Sequence, residues 1–203
     1  MNSKLKATTL TLAVLSLGVC FQQFAFAYDP DVFPGAGSRD DFNATAQITN
    51  KANQLTTEGK PREAISLYKK AIARYPYCAN TYYNLGNAHC DLNEYSSAVL
   101  NYQKAIKLAP DYPQAWANLS DAQFRLKDYD SAEKTATKAI AVDPKNPVAF
   151  INLAQAELAL KKAKQAKRHI QVAKSLPGSN VFSQDIASID KQLQSMLAKT
   201  AEN

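Results

Sequence analysis

The chain is predicted to be all-α, a stack of four helix-turn-helix repeats closed by a C-terminal capping helix. Alanines at 64, 98, 132 and 166, and again at 71, 105, 139 and 173, recur every 34 residues. Pro76, Pro110 and Pro144 keep the same spacing and close three of the units. The units 45–78, 79–112, 113–146 and 147–180 align without insertion. A fixed period of this length marks a repeat whose units are single small motifs, each burying its apolar face only against its neighbours.

The elements follow in order. Lys4 and Lys6 precede an apolar stretch from Leu10 to Phe21, and Ala25-Phe26-Ala27 precedes Tyr28, the layout of a secretory signal peptide over 1–27. The apolar stretch is about a dozen residues long, whereas a membrane span needs roughly 20. Two rival readings stand beside cleavage: an uncleaved anchor, and a lipid on Cys20, whose Leu17-Gly18-Val19-Cys20 context has Val where a lipobox has Gly or Ala. Residues 28–41 open with YDPDVFPGAGSR, a leader too rich in Pro, Gly and Asp to pack. Ser38 and Asp41 can cap a helix that begins near Phe42, and the repeats are expected to fill 42–180. Within them Pro113 and Pro147 stand at first helical positions, where a missing N–H costs nothing, and Gly59-Lys60-Pro61 turns the chain into a second helix. In 181–203, Ile186, Ile189, Leu193, Met196 and Leu197 share one face of a helix starting near Ser183, which would cover the last apolar surface of the stack.

Inside each unit a large residue holds the fourth place (Ile48, Tyr82, Trp116, Phe150) and a small one the eighth (Ala52, Gly86, Ser120, Ala154). Helices approach closely only where side chains are small, so the Ala and Gly positions are the expected crossings. Segment 79–112 carries the pattern most fully, as Tyr82, Leu85, Gly86, Tyr95, Ala98, Tyr102, Ala105 and Pro110. This resembles the tetratricopeptide repeat. The resemblance implies an α-solenoid of right-handed superhelical form, whose first helices line a concave side that holds segments of other proteins.

Composition narrows the partners. The net charge of +6 falls to +4 if Lys4 and Lys6 are removed with a signal peptide. Unit one has six Lys/Arg against two acids and unit four six against one, so the basic ends can be read either as a contact for anionic lipid or envelope polymer, or as solvated helix faces. No basic and aromatic stripe suggests nucleic acid. Cys78 and Cys90 flank the first helix of unit two; twelve helical residues separate them by about 18 Å, and a disulfide wants Cα atoms roughly 4.4–6.8 Å apart. They are not expected to pair within one chain.

A catalytic reading has little to stand on. His89 and His169 lie on different units without cysteine or carboxylate at metal-ligand spacing, and no phosphate loop, nucleophile elbow or paired-carboxylate cluster is present. No enzyme activity, cofactor or metal is expected. The informative residues are amides: Asn50, Asn84, Asn118 and Asn152 hold the sixth place of their units, and Asn53, Asn87, Asp121 and Gln155 the ninth. Positions three apart share a helix face. Given the resemblance, that face is the concave one, and a row of amides there can both donate to and accept from the backbone of a bound segment. The competing reading is structural, with each asparagine bonded to the neighbouring helix.

The expected groove therefore comprises Asn50, Asn53, Tyr83, Asn84, Asn87, Asn118, Asp121, Phe124, Arg125, Ile151, Asn152 and Gln155, with Tyr83, Phe124 and Ile151 supplying apolar contact. Val148, Ile151 and Leu158 can alternatively receive the C-terminal helix. The carboxylate clamp by which some tetratricopeptide domains hold chaperone C-termini is matched at Asn53 and Asn84. Its three cationic places read Thr49, Gln114 and Asn118, so a terminal carboxylate would be poorly held. The expected function is an exported, non-catalytic interaction scaffold, with self-assembly as the alternative.

Overall fold

The computed structural model describes residues 39–201. The expected signal peptide and nearly all of the leader, Ser38 included, lie outside the described residues. Nine α-helices are described: α1 Arg39–Thr57, α2 Pro61–Arg74, α3 Ala79–Asp91, α4 Tyr95–Leu108, α5 Pro113–Arg125, α6 Tyr129–Val142, α7 Pro147–Ala159, α8 Ala163–Ser175 and α9 Ser183–Ala201, with a 3-10 turn at Ser179–Phe182 before the last. No strand occurs among the described residues. First helices start at 79, 113 and 147 and second helices at 61, 95, 129 and 163, so the period seen in the alanines is also the period of the helices.

Helix ends explain that regularity. Pro61, Pro113 and Pro147 occupy the first turn, where a proline loses no hydrogen bond. At the junction of first and second helix the backbone turns left-handed at the same place in each repeat: Gly59 at φ 75°, Asn93 at 58°, Lys127 at 63° and Lys161 at 62°. The amides of Lys60, Asp128 and Lys162 then reach back to the carbonyls of Leu55, Gln123 and Glu157 at 2.9, 3.0 and 2.7 Å. This is the Schellman closure, which satisfies carbonyls that the end of a helix leaves orphaned. Only the first repeat supplies the glycine that the conformation favours; the third and fourth hold lysine there.

The residues form two compact units: one runs up to Asn93 and includes Lys104–Pro110, the other comprises Glu94–Gln103 and Asp111 onward. In the first, α1 folds back on α2, and α2 packs on α3. Its core gathers Ala52, Ala64, Ile65, Tyr68, Leu85 and Ala88, with Leu55 packed against it. A smaller cluster joins Phe42, Tyr75 and Cys78, where the rings of Phe42 and Tyr75 meet edge to face at 5.8 Å. In the second unit α5 to α8 pack in succession, and α9 lies on α7 and α8. There Phe150, Ile151, Leu158, Ile170, Ile186, Ile189 and Leu193 form the main core. All eight periodic alanines are 0 or 1 % exposed, the condition for backbones to approach at a crossing.

Cys78 and Cys90 are not bonded to each other, as the length of the intervening helix requires. No helix among the described residues is long and apolar enough to cross a membrane.

Candidate functional site

The amide positions share their place in the repeat but not their surroundings. Asn50, on α1, is exposed. Asn84, on α3, is half-buried and donates to Asn53 Oδ1 at 3.0 Å and to Asn80 Oδ1 at 3.4 Å. The Tyr68 hydroxyl donates to that same Asn53 oxygen at 2.6 Å, so one side-chain carbonyl ties α1 to both helices packed on it. Below this junction the Thr49 and Thr81 hydroxyls are bonded at 3.1 Å. In the first unit, then, sixth-place and ninth-place amides of successive repeats meet directly.

In the second unit Asn152 is buried at 8 % exposure. Its Nδ2 donates to the Ala117 carbonyl at 2.9 Å and to Ser120 Oγ at 3.0 Å, both on α5. A buried amide must be bonded, and α5 supplies the partners. Ile151 is 4 % exposed and packs in the core that holds Ile186, Ile189 and Leu193 of α9. The expectation that Ile151 and Asn152 present themselves to a partner is therefore corrected: both are buried, Ile151 in the core shared with α9 and Asn152 bonded to α5. Leu158 is buried in the same core.

The remaining expected residues stay reachable. Tyr83, Asn87, Asn118, Asp121, Phe124 and Gln155 are half-buried and Arg125 is exposed. Arg125 Nε donates to Asp121 Oδ1 at 3.3 Å one turn earlier, and the Phe124 ring lies 5.4 Å from that of Tyr129. Thr49, at a cationic place of the clamp, is buried and already hydrogen-bonded, whereas Gln114 is exposed.

Sequence reasoning missed one constellation. His169 Nδ1 on α8 lies 2.7 Å from Glu157 Oε2 on α7, and the glutamate side chain is only 4 % exposed. Burial pushes its carboxyl above the ordinary glutamate range; the His169 bond pulls the other way and is the smaller effect. Lys162 Nζ contacts both oxygens of Glu133 on α6, at 2.7 and 2.6 Å. The available signal was the eleventh place. Three of its occupants, His89, Gln123 and Glu157, are polar and buried, which calls for a partner across the hairpin in each case. Gln123 meets that call only in part, since its Oε1 is buried without a hydrogen bond.

Comparison with known proteins agrees with this architecture. A tetratricopeptide-repeat family model matches residues 86–127 and a second matches 127–176. No curated protein matches the chain in sequence. Among solved structures, the second tetratricopeptide domain of human RPAP3, in complex with the HSP70 peptide SGPTIEEVD, is similar with a TM-score of 0.56 at 23% identity, over 58% of this chain and 98% of that one. The first such domain of Spaghetti (RPAP3), bound to the HSP90 peptide SRMEEVD, gives 0.56 at 26% identity, over 58% and 93%. MamA from Desulfovibrio magneticus RS-1 gives 0.62 at 19% identity, over 78% and 96%. Helix period, hairpin closure, alanine crossings and family models converge on one conclusion: the chain carries tetratricopeptide repeats over 86–176 and has an all-α fold of that kind.

Proposed function

We propose that the chain is a non-catalytic scaffold that holds an extended segment of a partner protein against the first helices of its repeats. The observation that carries this reading is the set of polar and aromatic side chains left accessible on those helices in each unit taken by itself: Asn50, Tyr83, Asn84 and Asn87 in the first, and Asn118 and Phe124 in the second. Amide side chains there can bond a passing backbone, at Asn84 through its oxygen since its Nδ2 already donates to Asn53 and Asn80, and the aromatic rings offer apolar contact. Two structurally similar domains hold peptides, which supports the class of ligand. The ligand proposed here differs from theirs in not requiring a terminal carboxylate, since Thr49, Gln114 and Asn118 supply no positive charge. The scaffold acts outside the cytoplasm, a reading supported by the signal-like residues 1–27.

A photoreactive residue at position 83, with a matched one at exposed Lys70 on α2, tests the groove in the source cell. A protein captured from 83 and absent from 70 is expected; identical adducts at both, or none at 83, would refute groove binding. With that partner in hand, Asn84→Ala combined with Asn118→Ala should weaken binding by about tenfold, from roughly 0.5–1.5 kcal/mol per lost hydrogen bond. Sequencing the N-terminus of the cellular protein tests export, with Tyr28 as the expected first residue.

A further inference from the structure

We propose that a cleft within the second unit, walled by its second helices α6 and α8, is a docking site for an acidic segment of a partner protein in which a large apolar residue stands between two carboxylates. All of its lining belongs to that unit, and its volume is about 580 Å³. None of the amides assigned to the groove lines it, so the two readings stand or fall separately. Its floor is apolar, built from Ile140 of α6 with Phe150 and Leu153 of α7. Both acids in the lining are matched within the unit: Glu157 by His169 at 2.7 Å and Glu133 by Lys162 at 2.6 Å. Lys134 and Lys138, one turn apart on α6, also line it, are exposed, and hold no ion pair or hydrogen bond among the described residues. The cleft thus offers an apolar floor and two uncompensated positive charges.

Charge and spacing together define the complement. Side chains one helical turn apart sit about 5–6 Å from each other, and two residues of extended chain span about 7 Å. Acids two places apart in an extended segment can therefore meet Lys134 and Lys138 together. Successive side chains of such a segment point to opposite faces, so the residue between the acids turns away from the lysines and toward the floor. A Leu or Phe there buries its apolar surface against Phe150 and Leu153. Thr137 and Gln165, both exposed, add a hydroxyl and an amide to the lining. These are groups that match the N–H and C=O of a peptide, and they favour a protein segment over a simple amphiphilic acid.

The test irradiates the purified full chain with an amidated glycine peptide carrying Asp-benzoylphenylalanine-Asp at its centre, followed by digestion and adduct mapping. Adducts within 133–169 are expected, at a yield about fivefold above that of the same peptide with Asn for both Asp, the effect of two exposed charge pairs. Lys134→Glu with Lys138→Glu should reverse the preference, so that a peptide with Lys for both Asp is captured instead. Because both lysines are exposed, that variant should unfold at the same urea concentration as the parent. Excess unlabelled Asp-Phe-Asp peptide should suppress the adducts and an Asp-Ser-Asp peptide should not. Asn84→Ala with Asn118→Ala should leave the yield unchanged, which keeps this test independent of the groove. Adducts confined to other regions, an absence of adducts, or a preference that survives the charge reversal would overturn the proposal. Suppression by dodecanoate but not by the Asp-Phe-Asp peptide would overturn it too, assigning the cleft to a small amphiphile.

Discussion

Replacing Asn152 by alanine separates the two roles an asparagine can play at the sixth place of a repeat. In the folded chain its Nδ2 donates at 2.9 Å to the Ala117 carbonyl and at 3.0 Å to Ser120 Oγ, in a site only 8 % exposed. Each lost bond is worth about 0.5–1.5 kcal/mol. Ala117 O keeps a bond from Ser120 Oγ at 2.7 Å, which softens the loss on that side. The expected destabilisation is therefore about 1–3 kcal/mol, with the small void left by the amide adding to it. The single tryptophan, Trp116, stands on α5 next to Ala117 and reports on the affected unit. Urea unfolding followed by its fluorescence should show a lower midpoint at unchanged slope. Asn50→Ala, at an exposed position, should stay within about 0.5 kcal/mol of the parent. An Asn152→Ala midpoint equal to the parent's would refute the assignment of Asn152 to structure.

Two further outcomes follow from local geometry. Lys161→Gly should raise stability by up to about 1 kcal/mol in the same urea assay, because lysine there holds φ at 62°. Gly59→Ala should cost about 1 kcal/mol for backbone reasons alone, as an added Cβ meets nothing within 4 Å. Glu157→Gln tests the buried carboxyl. Its folded-state pKa is raised by burial, so the folded chain holds that proton more tightly than the unfolded one. Stability from this group is thus present at low pH and is lost as pH climbs from the ordinary glutamate value through the raised one. The parent's urea midpoint should fall across that window, and the glutamine variant's should fall less; parallel profiles would show that Glu157 is not the source.

The fold was legible because its determinants are local and repeated. Alanine at a crossing, proline in a first turn and the 34-residue period each act within one hairpin or between neighbours, so the sequence displays them directly. The site was legible only in part, for a reason visible in three asparagines. Asn50, Asn84 and Asn152 occupy one register, yet the first is exposed, the second braces against Asn53, and the third is sealed in. What differs is the neighbour: α5 brings the Ala117 carbonyl and Ser120 hydroxyl against Asn152, and a register position carries no record of what will be laid beside it. The Glu157 and His169 pair was hidden likewise, since its members lie on two helices and meet only when the hairpin closes.

The alanine crossings have a consequence for how such a chain changes over time. Because alanine, 0 or 1 % exposed, recurs at the same two places of each second helix, helix spacing there belongs to the repeat and not to any particular pair of neighbours. A copied 34-residue stretch would arrive with its contact surfaces already cut to gauge, and length can change while fit does not. Side chains away from the crossings bear no such constraint. They are where one repeat can drift from the next, as lysine, asparagine and glycine have already done at the left-handed turn.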